Sequence, residues 1–140
     1  MLKRIHNVLA VSEPLNKKLQ HIYPKLKSEV IGNVISENPF ASIQKKHPFT
    51  FIHVSDLRDD IKNISGVIDA FSRFKTNTSS HAELCIVGDG EDREKLKQKA
   101  KDIPGIYFLG RQTNMEVYKS LNASHCLLLN SKRETFGMVI

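Results

Sequence analysis

The sequence has little of what marks membrane, secreted or fibrous proteins. No apolar run approaches the roughly 18 residues needed to cross a bilayer, and residues 1–6 lack the apolar stretch of a secretory signal. Its 7 glycines and 5 prolines are too few for a fibrous or disordered chain. These absences favour a folded cytoplasmic protein. Its 140 residues suffice for one domain with an apolar core, since domains run to roughly 100–200 residues.

Cysteine is scarce too, and the two present, Cys85 and Cys126, each lie inside an apolar run. Such positions indicate buried thiols in a reducing compartment, with a disulfide between neighbouring strands left open. No histidine is spaced to complete a zinc site with them. The formal net charge of +6 favours anionic partners in general. Because the lysines lack interleaved aromatics to stack bases, we expect no nucleic-acid partner.

Short apolar segments alternate with helical patterns along most of the chain. The amino-terminal part predicts a strand at residues 8–11, a helix capped by Ser12 and ended by Pro24, and a strand at residues 29–31. A linker is expected at residues 32–48. Beyond it, strands are predicted at residues 49–54, 84–87, 106–109 and 126–129, separated by helices at about 61–75, 91–101 and from 113 onwards, the last begun by a Thr113–Glu116 capping box.

Apolar strands separated by helices indicate a parallel sheet that is buried on both faces. The predicted fold class is therefore α/β, a doubly wound parallel sheet. Ligands of such sheets bind at the carboxyl ends of the strands, so the loops after the four strands are the ones that matter.

The first loop leads to Lys62, predicted at the start of a helix. A lysine beside free backbone donors suits a phosphate or diphosphate, although a solvated surface lysine stays open. In the second loop, Gly88 and Gly90 allow close approach of a ligand or of a neighbouring loop. In the third loop, Arg111 follows a strand end. The backbone there can meet a nucleobase, or the segment is only a turn.

The fourth loop, residues 130–137, is the most informative. Glu134 stands just ahead of a predicted helix whose amides are freed around Gly137. Such amides can bind an anionic oxygen while the carboxylate binds sugar hydroxyls. The alternative is that Glu134 or Thr135 merely caps the helix.

Taken together, these loops resemble glycosyltransferase group 1, the family 4-like retaining glycosyltransferases of the two-domain GT-B fold. The matching pieces, in order, are residues 11–12, 30–33, 62–63, 84–91, 108–110 and 131–137. The resemblance implies an incomplete carboxyl-terminal, Rossmann-like half that binds a nucleotide sugar. Residues 1–40 would be the tail of the amino-terminal acceptor domain plus linker, and residues 41–140 the donor-binding domain.

The resemblance also implies residue roles. Lys62 would bind the donor diphosphate and stabilise the leaving nucleotide, while Glu134 would contact the donor sugar; these two are the expected catalytic residues. The expected donor-binding residues are Arg58, Gly88, Gly90, Arg111, Thr135, Phe136 and Gly137. The implied enzyme is a retaining hexosyl transferase that uses no metal and no cofactor, with a nucleotide-diphosphate sugar as its donor substrate.

The implied acceptor is a sugar or a lipid-linked sugar, bound through the amino-terminal domain. This fits polysaccharide biosynthesis in the cytoplasm, with contact at a membrane surface also compatible with the basic charge.

Two departures from the family pattern matter most. Asp56 stands where the family usually has an arginine that contacts the diphosphate, and Arg58 is the nearest substitute. The second glutamate of the motif that begins at Glu134 would fall just beyond Ile140. We therefore expect these 140 residues to be inactive alone.

Other functions stay open. A sugar-nucleotide epimerase can share the GT-B fold, but no additional acid and base set is apparent. A phosphoacceptor signalling domain would use Asp59, Asp60 and Asp89, and a non-catalytic nucleotide-binding relative is kept open by Asp56. His53 is expected to be a hydrogen-bonded core histidine rather than a base.

Overall fold

A computed structural model describes residues 7–32, 45, 47–79 and 81–133. The chain divides into two compact units, Met1–Glu37 and Asn38–Ile140. The assignment of residues 1–40 and 41–140 to parts of two domains stays a prediction. Among the described residues, no helix combines the length and the apolar character that a membrane span requires.

The first unit contains strand β1 (Asn7–Ala10), helix α1 (Glu13–Ile22) and strand β2 (Lys27–Val30). The two strands pair in parallel, with Asn7 opposite Lys27 and Ala10 opposite Val30. Ser12 caps α1 by accepting a hydrogen bond from the Leu15 N–H at 3.4 Å, as predicted. Both strands begin slightly earlier in the chain than their apolar runs suggest.

The second unit is built on a four-stranded sheet in the order β5-β4-β3-β6, and all of its strand pairs are parallel. The chain moves outward from β3 to β4 and β5, then returns to the other side of β3. The boundary between β3 and β6 is therefore the topological switch point, where ligands bind in such sheets. The elements are β3 (Thr50–Val54), α2 (Asp59–Lys62), α3 (Ile64–Thr78), β4 (Glu83–Val87), α4 (Arg93–Ala100), β5 (Ile106–Gly110), α5 (Asn114–Ala123) and β6 (Cys126–Leu127).

Helices cover both faces of this sheet, so the predicted doubly wound class is confirmed. On one face, α3 presents Ile64, Val67, Ile68 and Phe71, the spacing of a buried helix stripe. They join one apolar core with residues of β4 and α4, including Leu84, Ile86 and Leu96. On the other face, Ile52, Val54 and Val87 pack against Val117 and Leu121 of α5.

The predicted helix at about 61–75 is wrong at its start. Two helices replace it, because Asn63 between them adopts a left-handed conformation with φ of 49°. Asparagine is one of the few residues other than glycine that tolerates this region. Lys62 therefore ends a four-residue helix instead of opening a long one.

Other boundaries also differ from the sequence prediction. β6 stops at Leu127, where two further residues were expected, and β5 extends to Gly110. α4 begins at Arg93 after a turn, and Asp92 occupies its N-cap position. The capping box at Thr113 and Glu116 is present as predicted.

The cysteines are not placed to form a disulfide. Cys85 on β4 and Cys126 on β6 flank β3, so about two strand spacings, roughly 9 to 10 Å, separate them, beyond the limit of about 7 Å. Both thiols are free. They are half-buried, whereas the sequence predicted full burial. Burial, with the nearby Glu83 carboxylate, raises the pKa of the Cys85 thiol.

Candidate functional site

The loops after β3, β4 and β5 meet around a cleft of about 350 Å³ at the carboxyl edge of the sheet. This volume lies at the lower end of small-molecule sites, about 300–1,000 Å³. Of the predicted donor-binding residues, the cleft brings together Gly88 and Arg111. Its lining consists of Val54, Ser55, Asp56, Val87, Gly88, Asp89, Arg111, Gln112 and Val117.

The two glycines of the second loop accommodate the first loop. Gly88 has a φ of 132°, and a Cβ there would overlap the carbonyl oxygen of Ser55. A Cβ on Gly90 would lie 2.8 Å from backbone atoms of Leu57. The Leu57 N–H also donates to the Asp89 carbonyl at 3.0 Å. Close approach of the first loop therefore explains both glycines. Contact of either glycine with the donor stays a prediction. Gly90 does not line the cleft.

Arg58 points toward the second loop. Its Nε lies 3.5 Å from Glu91 Oε1, and both side chains are largely exposed. Exposed ion pairs contribute little to stability, about 0–1 kcal/mol, so this pairing does not lock the side chain. Arg58 does not line the cleft. Its substitution for the missing family arginine stays a prediction.

Asp59 is buried and ties the first loop to α3. Its Oδ1 accepts a hydrogen bond of 2.7 Å from the Ser65 N–H, and its own N–H donates to Asp92 Oδ2 at 2.8 Å. Burial works to raise the pKa of Asp59, but the Ser65 hydrogen bonds and the charges of Lys95 and Lys132 outweigh it and lower that pKa. The Ser65 N–H at the start of α3 therefore already has a hydrogen-bond acceptor, the Asp59 carboxylate.

Lys62 is half-buried beside the loop that follows β6. The Lys132 N–H of that loop donates to the Ile61 carbonyl at 2.8 Å. A Cβ on Gly66 would lie 2.8 Å from Asn130 Nδ2, which shows how closely the loop packs on α3. Lys62 and the start of the fourth loop are thus brought together. Glu134, Thr135, Phe136 and Gly137 follow directly in the chain and lie outside the described residues.

His53 occupies the fully buried interior of β3. Its Nδ1 lies 2.8 Å from the Leu128 carbonyl oxygen, and its Nε2 lies 2.8 Å from Ser55 Oγ. Burial lowers the pKa of His53; the Leu128 hydrogen bond opposes this, and the Lys62 charge adds to it. The expectation of a hydrogen-bonded core histidine is confirmed. The link to Leu128 was not predicted, because no local signal marks a partner 75 residues away.

Acidic side chains of α2 and the second loop also form a cluster. In the described part of the chain, the group of three acidic side chains that each place a carboxylate oxygen within 4.8 Å of the others is Asp60, Glu91 and Asp92. They differ from the predicted set of Asp59, Asp60 and Asp89. Cations also pair with this cluster, Arg58 with Glu91 and Lys95 with Asp92 at 3.8 Å.

A parallel sheet with helices on both faces and a cleft at its carboxyl edge defines a Rossmann-like domain. A family model described as glycosyl transferases group 1 matches residues 34–140. The chain belongs to this family.

Solved structures of GT-B glycosyltransferases share the fold. A point mutant of S. aureus TarM in complex with fondaparinux, alpha-GlcNAc-glycerol and UDP aligns with a TM-score of 0.76 at 15% identity, over 97% of this chain and 27% of that one. The pneumococcal O-GlcNAc transferase GtfA in complex with UDP and GlcNAc gives 0.74 at 20% identity, over 95% and 27%.

WaaG, a glycosyltransferase involved in lipopolysaccharide biosynthesis, gives a TM-score of 0.73 at 16% identity, over 94% of this chain and 40% of that one. The chain thus spans 27 to 40% of the length of these three proteins. No curated protein matches the sequence.

Proposed function

We propose that this chain supplies part of the donor-binding half of a glycosyltransferase, which moves a sugar from a nucleotide-diphosphate sugar to an acceptor. The observation that carries the proposal is the convergence of the loops after β3, β4 and β5 on one cleft in a member of this family. In this proposal residues 1–40 are the tail of the acceptor domain plus linker, and residues 41–140 are the donor domain.

The cleft has the chemistry to bind a nucleoside. Its apolar lining consists of the buried Val54 and Val87 and the half-buried Val117, of which Val117 leaves the most surface for a flat base, while Arg111 and Gln112 supply polar groups. Small-molecule sites combine an apolar lining with a few polar groups that fix orientation. UDP is present in the TarM and GtfA structures, which supports a nucleotide here without fixing its base.

Lys62 is the proposed cation for the diphosphate. Its ammonium would stabilise the negative charge that develops on the leaving nucleotide, so the reaction would need neither a metal nor a cofactor. The loop packed against α2 leads directly to Glu134, which would contact the sugar, and to amides near Gly137 that would hold the phosphates. Thr135 and Phe136 belong to the same proposed turn.

The reaction is proposed to retain the anomeric configuration, with a sugar or lipid-linked sugar as acceptor. The lipopolysaccharide role of WaaG supports a place in polysaccharide biosynthesis. A cytoplasmic location is part of the proposal, and the net charge of +6 supports contact with an anionic membrane surface.

The central test is a calorimetric titration of the protein with UDP, GDP and ADP sugars. Lys62→Ala should weaken binding of the preferred donor about tenfold or more, since removing one well-placed charge costs about 1.4 kcal/mol or more. Lys101→Ala, an exposed lysine at the end of α4, is the matched control and should leave the affinity unchanged. Equal affinities for Lys62→Ala and the native protein would refute the donor-site assignment.

The proposal also includes inactivity of these 140 residues alone, because they span only 27 to 40% of the length of the aligned glycosyltransferases. A radiolabelled donor incubated with the chain and simple acceptors should show no transfer above background. Glycosyl transfer by this chain would contradict that part.

A non-catalytic nucleotide-binding role is the second candidate, and Asp56 favours it. This exposed carboxylate lines the cleft where the family usually presents an arginine to the diphosphate. A negative charge there repels phosphates by roughly 1–4 kcal/mol at contact distance, depending on solvent exposure. Tight binding of a nucleoside together with weak binding of its diphosphate sugar would favour this second role.

A further inference from the structure

The switch point of the sheet is bridged by a buried side chain. β6 pairs with β3 over only Phe51–Cys126 and Ile52–Leu127. The Leu128 N–H then donates to the Ile52 carbonyl at 2.8 Å, and the ladder ends. The next contact is made by a side chain, since the Leu128 carbonyl lies 2.8 Å from His53 Nδ1.

The two partners of His53 fix the tautomer of the ring. The Leu128 carbonyl can only accept, so Nδ1 must carry the proton. In the neutral ring Nε2 is then an acceptor for the Ser55 hydroxyl at 2.8 Å, whose single proton also lies within reach of the Asp56 carbonyl, 3.0 Å from Ser55 Oγ. Both ring nitrogens are satisfied, which removes the cost of burying an unpaired polar group.

These bonds join the two segments that the proposed donor site requires. Ser55 lines the cleft, and the segment that follows it carries Lys62. Leu128 begins the loop that reaches Ile61 through the Lys132 N–H and continues toward Glu134. An apolar residue in place of His53 would fill the same core position but leave the Leu128 carbonyl without this partner.

We propose that His53 is a positioning residue of the donor site, which holds the loop after β6 at a fixed distance from the segment that carries Lys62. This inference rests on the proposed function. His53 touches neither donor nor acceptor in this role; it acts through Leu128 and Ser55.

Three variants separate the two bonds. His53→Leu removes both, Ser55→Ala removes the one to Nε2, and His53→Asn places an amide NH₂ near the position of Nδ1, where it can still donate to Leu128. We expect His53→Leu to weaken nucleotide-sugar binding about tenfold, which corresponds to about 1.4 kcal/mol. His53→Asn should stay within about threefold of the native affinity, and Ser55→Ala, which keeps the bond to Leu128 but changes a residue that lines the cleft, should lose less affinity than His53→Leu.

Two readouts do not depend on a donor. The ¹⁵N shifts of His53 should show Nδ1 protonated and Nε2 unprotonated, and amide hydrogen exchange at Lys132 should be about tenfold faster in His53→Leu than in the native protein. An Nε2-protonated ring, or native exchange at Lys132 in His53→Leu, would overturn the proposal.

The Lys62→Ala variant separates the two proposals. If Lys62→Ala weakens binding and His53→Leu does not, His53 has no positioning role although the donor site stands. If Lys62→Ala leaves binding unchanged, the donor-site assignment itself fails.

Should His53→Leu not fold, the affinities of His53→Asn and His53→Gln test the positioning role instead, because the glutamine amide lies nearer the position of Nε2. Equal affinity of these two variants would refute the role.

Discussion

The Asp59 carboxylate accepts a hydrogen bond of 2.7 Å from the backbone N–H of Ser65, across the left-handed turn at Asn63. This bond closes the junction between α2 and α3 directly beside Lys62. A carboxylate near a helix N-terminus is favourable because the first amides of the helix lack partners within the helix. The position of Lys62 at the end of α2 is thus set by the buried Asp59 carboxylate and by the left-handed Asn63.

The Asp59 contact predicts a pH-dependent stability. The pKa of Asp59 is lowered in the folded chain, so its contribution is fully present above the ordinary aspartate pKa and is lost as the pH falls through the lower folded value. Asp59→Asn should destabilise the protein by about 1.5–3 kcal/mol at pH 7, and by progressively less below about pH 4. Urea unfolding at several pH values measures this.

Asp102→Asn is the matched control for Asp59, because it removes the same charge from an exposed turn after α4. Its free energy of unfolding should change by less than about 0.5 kcal/mol at pH 7. A pH-independent loss in Asp59→Asn would show that the carboxylate charge plays no part.

Gly88 is expected to be irreplaceable for structural reasons. An alanine there would adopt a φ of 132° and place its Cβ against the Ser55 carbonyl oxygen. Gly88→Ala should destabilise the protein by about 2–4 kcal/mol, seen as a lowered midpoint of thermal unfolding. Gly32→Ala, where a Cβ would meet nothing within 4 Å, is the control and should have little effect. Native stability in Gly88→Ala would mean that the two loops can move apart.

Local patterns predicted the elements whose causes are local. Ser12 and the Thr113–Glu116 pair cap their helices as predicted, because capping involves residues three apart. The helix break at Asn63 was missed, since the apolar spacing of Ile61, Ile64 and Ile68 continues across it. A left-handed asparagine leaves no trace in that periodicity.

The candidate site was predictable to the level of loops but not of contacts. Strand order places the four loops at one edge of the sheet, which the alternating pattern implies. The packing of Gly90 on Leu57 and the bond from His53 to Leu128 join segments far apart in the chain. Such contacts depend on strand order and register, and no local spacing encodes them.

The Asp56 carboxylate is expected to affect the affinity for the donor rather than the stability of the fold. Its exposed carboxylate lines the cleft, so removing its charge should reduce repulsion of the donor diphosphate. Asp56→Asn should bind a nucleotide-diphosphate sugar about three- to tenfold more tightly, and Asp56→Arg more tightly still, in calorimetric titrations.

The control is Asp69→Asn, which removes an equal charge from α3 and should bind the nucleotide-diphosphate sugar as tightly as the native protein does. The gain should shrink as salt is raised, because screening weakens interactions between exposed charges. Weaker binding by Asp56→Asn would instead mean that this carboxylate accepts a hydrogen bond from the ligand, and the diphosphate would then have to lie elsewhere.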